Sequence, residues 1–354
     1  MNVGLLLWKS KKFFNLKILV KFIICGLLSS LLFPPFFILP IGFIVFPFLF
    51  FLLINEEFQN NNKLFHFNSG LAYGIGMNFV VLIWIKEPFL IDQNTTNLSF
   101  FSYLLVIYCS IYFGLSFIVI SYFKNSYSKL LLIPVLFVLS EIFKENFFYG
   151  FPWVTFALVH SSNNVILNLI YYIGTYGLSY FTILVFLIPA SIILYYKKSP
   201  PSIILKSYII VSVTIVLFCF ILIVFRFENI INKEKFFLNV SMVQLNLSQI
   251  NRTYKITPEN RLKQIIKIIS QDNSDLLIFA ENSYPYLITN LKDLNFMANS
   301  LNKNQSIIIG ATKKEDSNFF NTLISIEKNN IQEFAKIKLV PFGEFLPFRK
   351  FLHF

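Results

Sequence analysis

About seven apolar stretches, at 18–33, 36–54, 69–85, 100–123, 130–143, 166–196 and 208–225, leave this chain few ways to fold. In lipid every backbone polar group needs an internal partner, and a helix needs about 20 apolar residues to cross the hydrocarbon. The stretches are therefore expected to be membrane-spanning helices. Composition agrees: 56% of the 354 residues are hydrophobic and only 14% are charged, unlike a soluble domain. The first stretch follows Lys9, Lys11, Lys12 and Lys17, as a signal peptide would. It runs into Pro34-Pro35 and a second apolar stretch without a small-residue cleavage site, so it is read as a retained helix.

A net charge of +12 raises the question of nucleic acid. The lysines, however, gather at the amino terminus, at 124–129 and at Lys197, Lys198 and Lys206, between apolar stretches. That is the positive-inside pattern, and no nucleic-acid partner is expected. With these loops cytoplasmic and seven crossings, everything after residue 225 is expected on the periplasmic side of a bacterial inner membrane. Cys25, Cys109 and Cys219 lie inside apolar stretches and read as packing residues. His66, His160 and His353 are too scattered for a metal site and read as loop or interfacial residues. Glu141 and Lys144 close the fifth stretch, just before Tyr149-Gly-Phe-Pro-Trp153. Two readings of that pair stand: an intramembrane functional pair, or snorkelling side chains beside aromatic anchors. Pro34, Pro35 and Pro40 break the chain into a hairpin between two helices.

From about residue 236 the apolar runs become short. The pattern predicts a strand over 237–247 and a helix opening at Thr257-Pro258-Glu259, with Leu262, Ile265, Ile266 and Ile269 on one face. It then predicts a strand over 276–279, a helix over 291–301, and a strand over 306–309 ending at Gly310. A hairpin of 323–326 with 331–336 follows, turning at Asn329-Asn330. This is an α/β layout. Glu281 follows the 276–279 strand, where ligand sites of α/β folds gather; the plainer alternative is a solvated loop glutamate. In Lys336-Ile-Lys-Leu-Val-Pro-Phe-Gly-Glu344 the lysine ends the hairpin and the glutamate follows a turn. Both are expected to project to one rim, an arrangement that suits acyl chemistry, which also needs a nucleophile.

Together these segments resemble the apolipoprotein N-acyltransferase family, bacterial membrane enzymes that carry a nitrilase-like domain. The resemblance rests on Leu32-Phe-Pro-Pro-Phe36 with Pro40, Gly150-Phe-Pro-Trp153 and Ile173-Gly-Thr-Tyr-Gly-Leu-Ser179. It continues through Val243-Gln244 with Asn246, Gly310, Asn321 and the Lys336–Glu344 run. It implies a polytopic α-helical membrane domain of about seven helices at 1–233, followed by an incomplete α/β nitrilase-like (αββα sandwich) domain at 234–354. Departures fall at Phe279-Ala280, Asn282-Ser283, Leu245 and Lys338.

By that resemblance Glu281 is the general base, Lys336 stabilises the oxyanion of the tetrahedral intermediate, and Glu344 supports the lysine or the substrate. The implied reaction moves an acyl chain from a phospholipid donor, through a cysteine thioester, to the amino group of a diacylglyceryl apolipoprotein acceptor. No cofactor or metal is implied. The family's nucleophilic cysteine and an eighth helix come after the last residue given, Phe354. The chain as given is therefore expected to lack its nucleophile, to be inactive alone, and to leave sheet edges open. The alternative is a catalytically dead paralogue or fragment that binds lipid or lipoprotein without turnover. A transporter would show charges in mid-span and repeated halves, and neither stands out.

Overall fold

The computed structural model describes residues 16–91, 96–147, 150–197, 203–231, 237–245, 257–302, 304–340 and 345. The chain divides into two compact units, Met1–Lys233 and Glu234–Phe354.

The first unit is helical: α1 Leu16–Ser30, α2 Gly42–Ile54, α3 Lys63–Val81, α4 Phe101–Ser121, α5 Ser126–Asn146, α6 Ile170–Phe186, α7 Ile188–Lys197 and α8 Ile203–Ile231. Asparagine starts two of them: Asn62 accepts from the Phe65 N–H and Asn125 from the Tyr127 N–H, each satisfying a donor that the first helical turn leaves open. Four stretches are long and apolar enough to cross a bilayer: Thr96–Ser121, Ser126–Asn146, Ile170–Lys197 and Lys206–Phe225. Lys63–Val81 with Ile83–Leu90, bent by 61°, makes a fifth if the pair acts as one span. The expected seven thus become four or five among the described residues. The reason lies in residues 31–41, apolar in sequence but folded as turns and a short 3-10 segment, Leu39–Ile41. This leaves α2 with 13 residues, about 20 Å against a hydrocarbon core of about 30 Å.

Small residues let α3 lie against both α1 and α4. A Cβ on Gly26 would stand 2.1 Å from the Tyr73 carbonyl oxygen, and one on Gly76 would stand 2.4 Å from that of Ile23, so α1 and α3 touch backbone to backbone. Such contact replaces the hydrophobic drive that lipid does not supply. Hydroxyls and an amide tie the helices further: Tyr73 to Ser29 at 3.1 Å, Asn78 to Ser110 at 3.2 Å, Ser116 to Ser140 at 2.8 Å. Phe22, Phe46, Phe117, Phe137 and Phe156 fill the space between in tilted and edge-on pairs, the favoured ring geometry. Cys25, Cys109 and Cys219 are buried here. His66 and His160 are buried too, not interfacial: each Nε2 has a partner, the Phe58 carbonyl at 2.7 Å and the Thr182 hydroxyl at 2.9 Å. His353 lies outside the described residues.

The second unit is a six-stranded mixed sheet: β1 Val240–Val243, β2 Leu276–Phe279, β3 Leu287–Ile288, β4 Ser306–Glu315, β5 Asn318–Glu327 and β6 Asn330–Ala335. The order is β1-β2-β4-β5-β6, with β3 also on β4. Pairing is parallel up to β4 and antiparallel beyond it. Helix α9, Pro258–Gln271, links β1 to β2 and opens on the Thr257 cap, and a short helix, α10 Asn295–Asn299, precedes β4. Ile265 and Ile269 of α9 pack with Leu294, Met297 and Ala298 onto Leu277, Phe279, Ile307, Ile309, Ile324 and Ile326. The opposite face leaves Val240, Met242, Leu323 and Phe334 exposed. β4 does not stop at Gly310 but runs on to Glu315 and turns at Asp316 into β5.

Candidate active site

Glu281 sits where a strand is interrupted. β2 pairs with β4 as far as Ile308, and β3 resumes the pairing at Thr312. Between them residues 280–286 leave the ladder and pass over Gly310. A Cβ there would lie 2.7 Å from both the Glu281 Cα and the Asn282 nitrogen, so only glycine permits the crossing. The excursion is fastened at its far side, where the Tyr284 N–H donates to the Gly310 carbonyl at 3.0 Å. Asn282 takes a left-handed φ of +51°, a conformation that asparagine tolerates better than most residues.

Sheet register brings the partners. Thr312 lies opposite Asn321 on β4 and β5, and the Lys336 N–H extends the β5–β6 ladder to the Asn321 carbonyl at 2.8 Å. Cross-strand neighbours point to the same face, so Thr312, Asn321 and Lys336 form a row. All three meet the excursion. The Thr312 hydroxyl donates to the Asn282 side-chain oxygen at 3.1 Å, the Asn321 amide donates to Glu281 Oε1, and Lys336 Nζ stands 3.8 Å from that same oxygen. The row occupies the sheet face opposite the helices, beside Leu323 and Phe334. An open cleft of about 370 Å³ adjoins the turn, bounded by Arg261, Asn282, Tyr284, Tyr286 and Thr312. Burial pushes the Tyr284 phenol above its ordinary value, so the charge on the cleft wall is that of Arg261.

The Glu281 and Lys336 side chains are 62% and 36% exposed. An ion pair that open contributes about 0–1 kcal/mol to folding, too little for the excursion and the cross-strand row to be explained as fold stabilisation. A carboxylate oriented by an amide, with an ammonium within reach of a bound group, has the parts of an acid–base site. Of the residues expected here, Glu281 and Lys336 come together; Glu344 and the Pro341–Gly343 turn lie outside the described residues. Asn321, noted in the sequence only as part of a motif, and Thr312 are the members that sequence reading missed. Their signal was register, which no local pattern in 311–322 displays.

A sequence model of the apolipoprotein N-acyltransferase N-terminal domain matches residues 25–188. Proteins called apolipoprotein N-acyltransferase from Aquifex aeolicus, Wigglesworthia glossinidia brevipalpis and Helicobacter pylori are 29%, 26% and 25% identical over 93%, 80% and 80% of the chain. The chain is thus similar to apolipoprotein N-acyltransferases over most of its length. It spans 71%, 58% and 60% of those three relatives. They are bacterial, and the apolar helices fit a multi-pass membrane protein.

The region matched by the N-acyltransferase model contains a second polar cluster. Glu141 and Lys144, one turn apart on α5, are both buried. Glu141 Oε1 accepts from the Phe156 N–H at 2.6 Å, and Lys144 Nζ donates to the Val154 carbonyl at 2.7 Å. The side chains therefore turn inward rather than snorkel. They hold Val154–Phe156, where Val154 has a φ of +64°. The Ala157 N–H donates to Ser179 Oγ at 3.0 Å and the Tyr176 hydroxyl to Glu145. Thus α5 brings together the Gly150-Phe-Pro-Trp153 and Ile173–Ser179 motifs that carried the family resemblance.

Proposed function

We propose that this chain carries the membrane unit and the acid–base half of an apolipoprotein N-acyltransferase site. In this reading a phospholipid gives its acyl chain to a cysteine as a thioester, and the amino group of a lipoprotein's diacylglyceryl-cysteine takes it. Glu281 removes the proton, first from the thiol and then from the amine. Lys336 stabilises the oxyanion, an interaction worth about 3 kcal/mol for comparable donors. Asn321 orients the Glu281 carboxylate, and Glu344 has the supporting role that the family resemblance gives it. The acyl-carrying thiol is none of Cys25, Cys109 and Cys219, which are buried in the helical unit. The observation that carries the reading is the convergence of Asn321 and Lys336 on one oxygen of Glu281. The bare apolar face beside them suits a nitrilase-like sandwich in which a second layer covers the sheet. Exposed Lys124 and Lys197, at the ends of apolar helices, favour a cytoplasmic side for those loops and a periplasmic side for the polar unit.

The test is mass spectrometry of lipoprotein amino termini from bacteria whose own N-acyltransferase is replaced by the complete protein, with the nucleophile that the family resemblance implies. N-acylation is expected with the natural sequence and is expected to vanish in Glu281→Gln and in Lys336→Ala. Normal acylation in either variant would overturn the assigned roles. Binding of lipoprotein with no acylation by the natural sequence would favour the non-catalytic alternative.

A further inference from the structure

Arg261 stands in the first turn of α9, where its N–H bonds the Thr257 carbonyl at 3.1 Å and the Thr257 hydroxyl caps Asn260. Its guanidinium donates through Nη2 to the Asn282 carbonyl. That carbonyl belongs to the residue next to Glu281, the one held at φ +51°. Asn282 is then fixed from three directions: its side-chain oxygen by Thr312, its carbonyl by Arg261, and its nitrogen by close passage over Gly310. Thr312 and Gly310 belong to the strand beneath. Arg261 alone of the three comes from a different element, so it sets the excursion against the helix rather than against the sheet.

We propose that Arg261 is a positioning residue for Glu281. It acts through the Asn282 carbonyl and keeps the Glu281 backbone where the carboxylate reaches Asn321 and Lys336. The proposal rests on Glu281 being the base, and arginine suits the task. Its charged, rigid fork donates to a carbonyl at the end of a long reach. Arg261 also borders the cleft next to the turn. The tie matters because residues 280–286 leave the ladder on β4 between Ile308 and Thr312. A displacement of about 1 Å at a reacting group lowers a rate on the order of 100-fold.

The test uses the whole protein in detergent, with Arg261→Ala and Arg261→Lys variants, and reads two quantities. The first is hydrogen exchange at the Tyr284 amide, which reports closure of the excursion on Gly310, with the β4–β5 amides as the internal standard. In Arg261→Ala the Tyr284 amide is expected to exchange at least about tenfold faster while β4–β5 protection holds, and Arg261→Lys is expected to restore part of it. The second is acyl transfer, in which kcat is expected to fall by about tenfold or more with KM held. Unchanged Tyr284 exchange in Arg261→Ala would overturn the proposal, as would equal loosening of β4–β5, which would make the arginine a general support of the fold. Absence of acyl transfer in the natural protein would instead sink the role given to Glu281, and exchange at Tyr284 would still decide whether Arg261 closes the turn.

Discussion

The amide at position 321 is a neutral donor aimed at a carboxylate. It donates to Glu281 without adding a second negative charge, and its backbone carbonyl simultaneously receives the Lys336 N–H. A hydrogen bond to an ionised group is worth about 1.5–3 kcal/mol when sheltered, and the openness of this site puts it at the low end. Asn321→Ala is therefore expected to slow acyl transfer by about tenfold, and Asn321→Asp by more, since it sets a like charge against the carboxylate. Single-turnover rates with a lipoprotein acceptor check the order of the two. Glu281 and Lys336 were singled out in the sequence by the family motif, each just past a short strand. The roles of Asn321 and Thr312 were not legible, because Ala311–Thr322 is polar and alternates poorly. Their meeting depends on a turn at residues 316–317 that sets the register of every pair behind it.

Helix α5 does its main work through two side chains. Lys144→Met would leave the buried Val154 carbonyl without its donor, a change of the kind that costs about 1–3 kcal/mol. Faster hydrogen exchange and protease cutting within 154–160 are expected in membranes or nanodiscs, and unaltered protection there would show that the clamp contributes little. In the polar unit the comparable joint is Asp272, at the end of α9. The Ser274 and Ser241 hydroxyls bond its carboxylate, and the Asn302 and Gln305 side chains bond its carbonyl at 3.0 Å each, linking α9, β1 and the approach to β4. Hydrogen bonding, from Ser274 first, holds the carboxyl below its ordinary value of 3.8. A depressed carboxylate contributes stability above that ordinary value, and the contribution is lost as pH falls through the lower folded value. Asp272→Asn is expected to flatten the acid side of the unfolding midpoint against pH, measured on the protein in detergent. An acid limb as steep as that of the natural sequence would rule the joint out.

At the scale of the molecule, hydropathy gave the location of the helices, since each of the seven apolar stretches contains one, but not their lengths. Apolar runs count side chains, whereas a span needs backbone in helix, and the turns at 31–41 are as apolar as the helices on either side. The α/β alternation from residue 257 was readable because α9 has a cap, a first-turn proline and a periodic face. The direction of pairing and the bare second face belong to the assembled sheet and leave no local mark. Strands β4, β5 and β6 are successive in the chain and joined by tight turns, while β1 and β2 reach their partners only after a helix or a long connection has been folded away. Contacts between near neighbours close with the smaller entropy loss and form sooner. Thr312, Asn321 and Lys336 are thus set in line early, and Glu281 reaches them only when β2 docks on β4. The Glu281–Lys336 pair is therefore expected to be a late product of folding, so a chain halted one step short would carry its lysine in place without the carboxylate beside it.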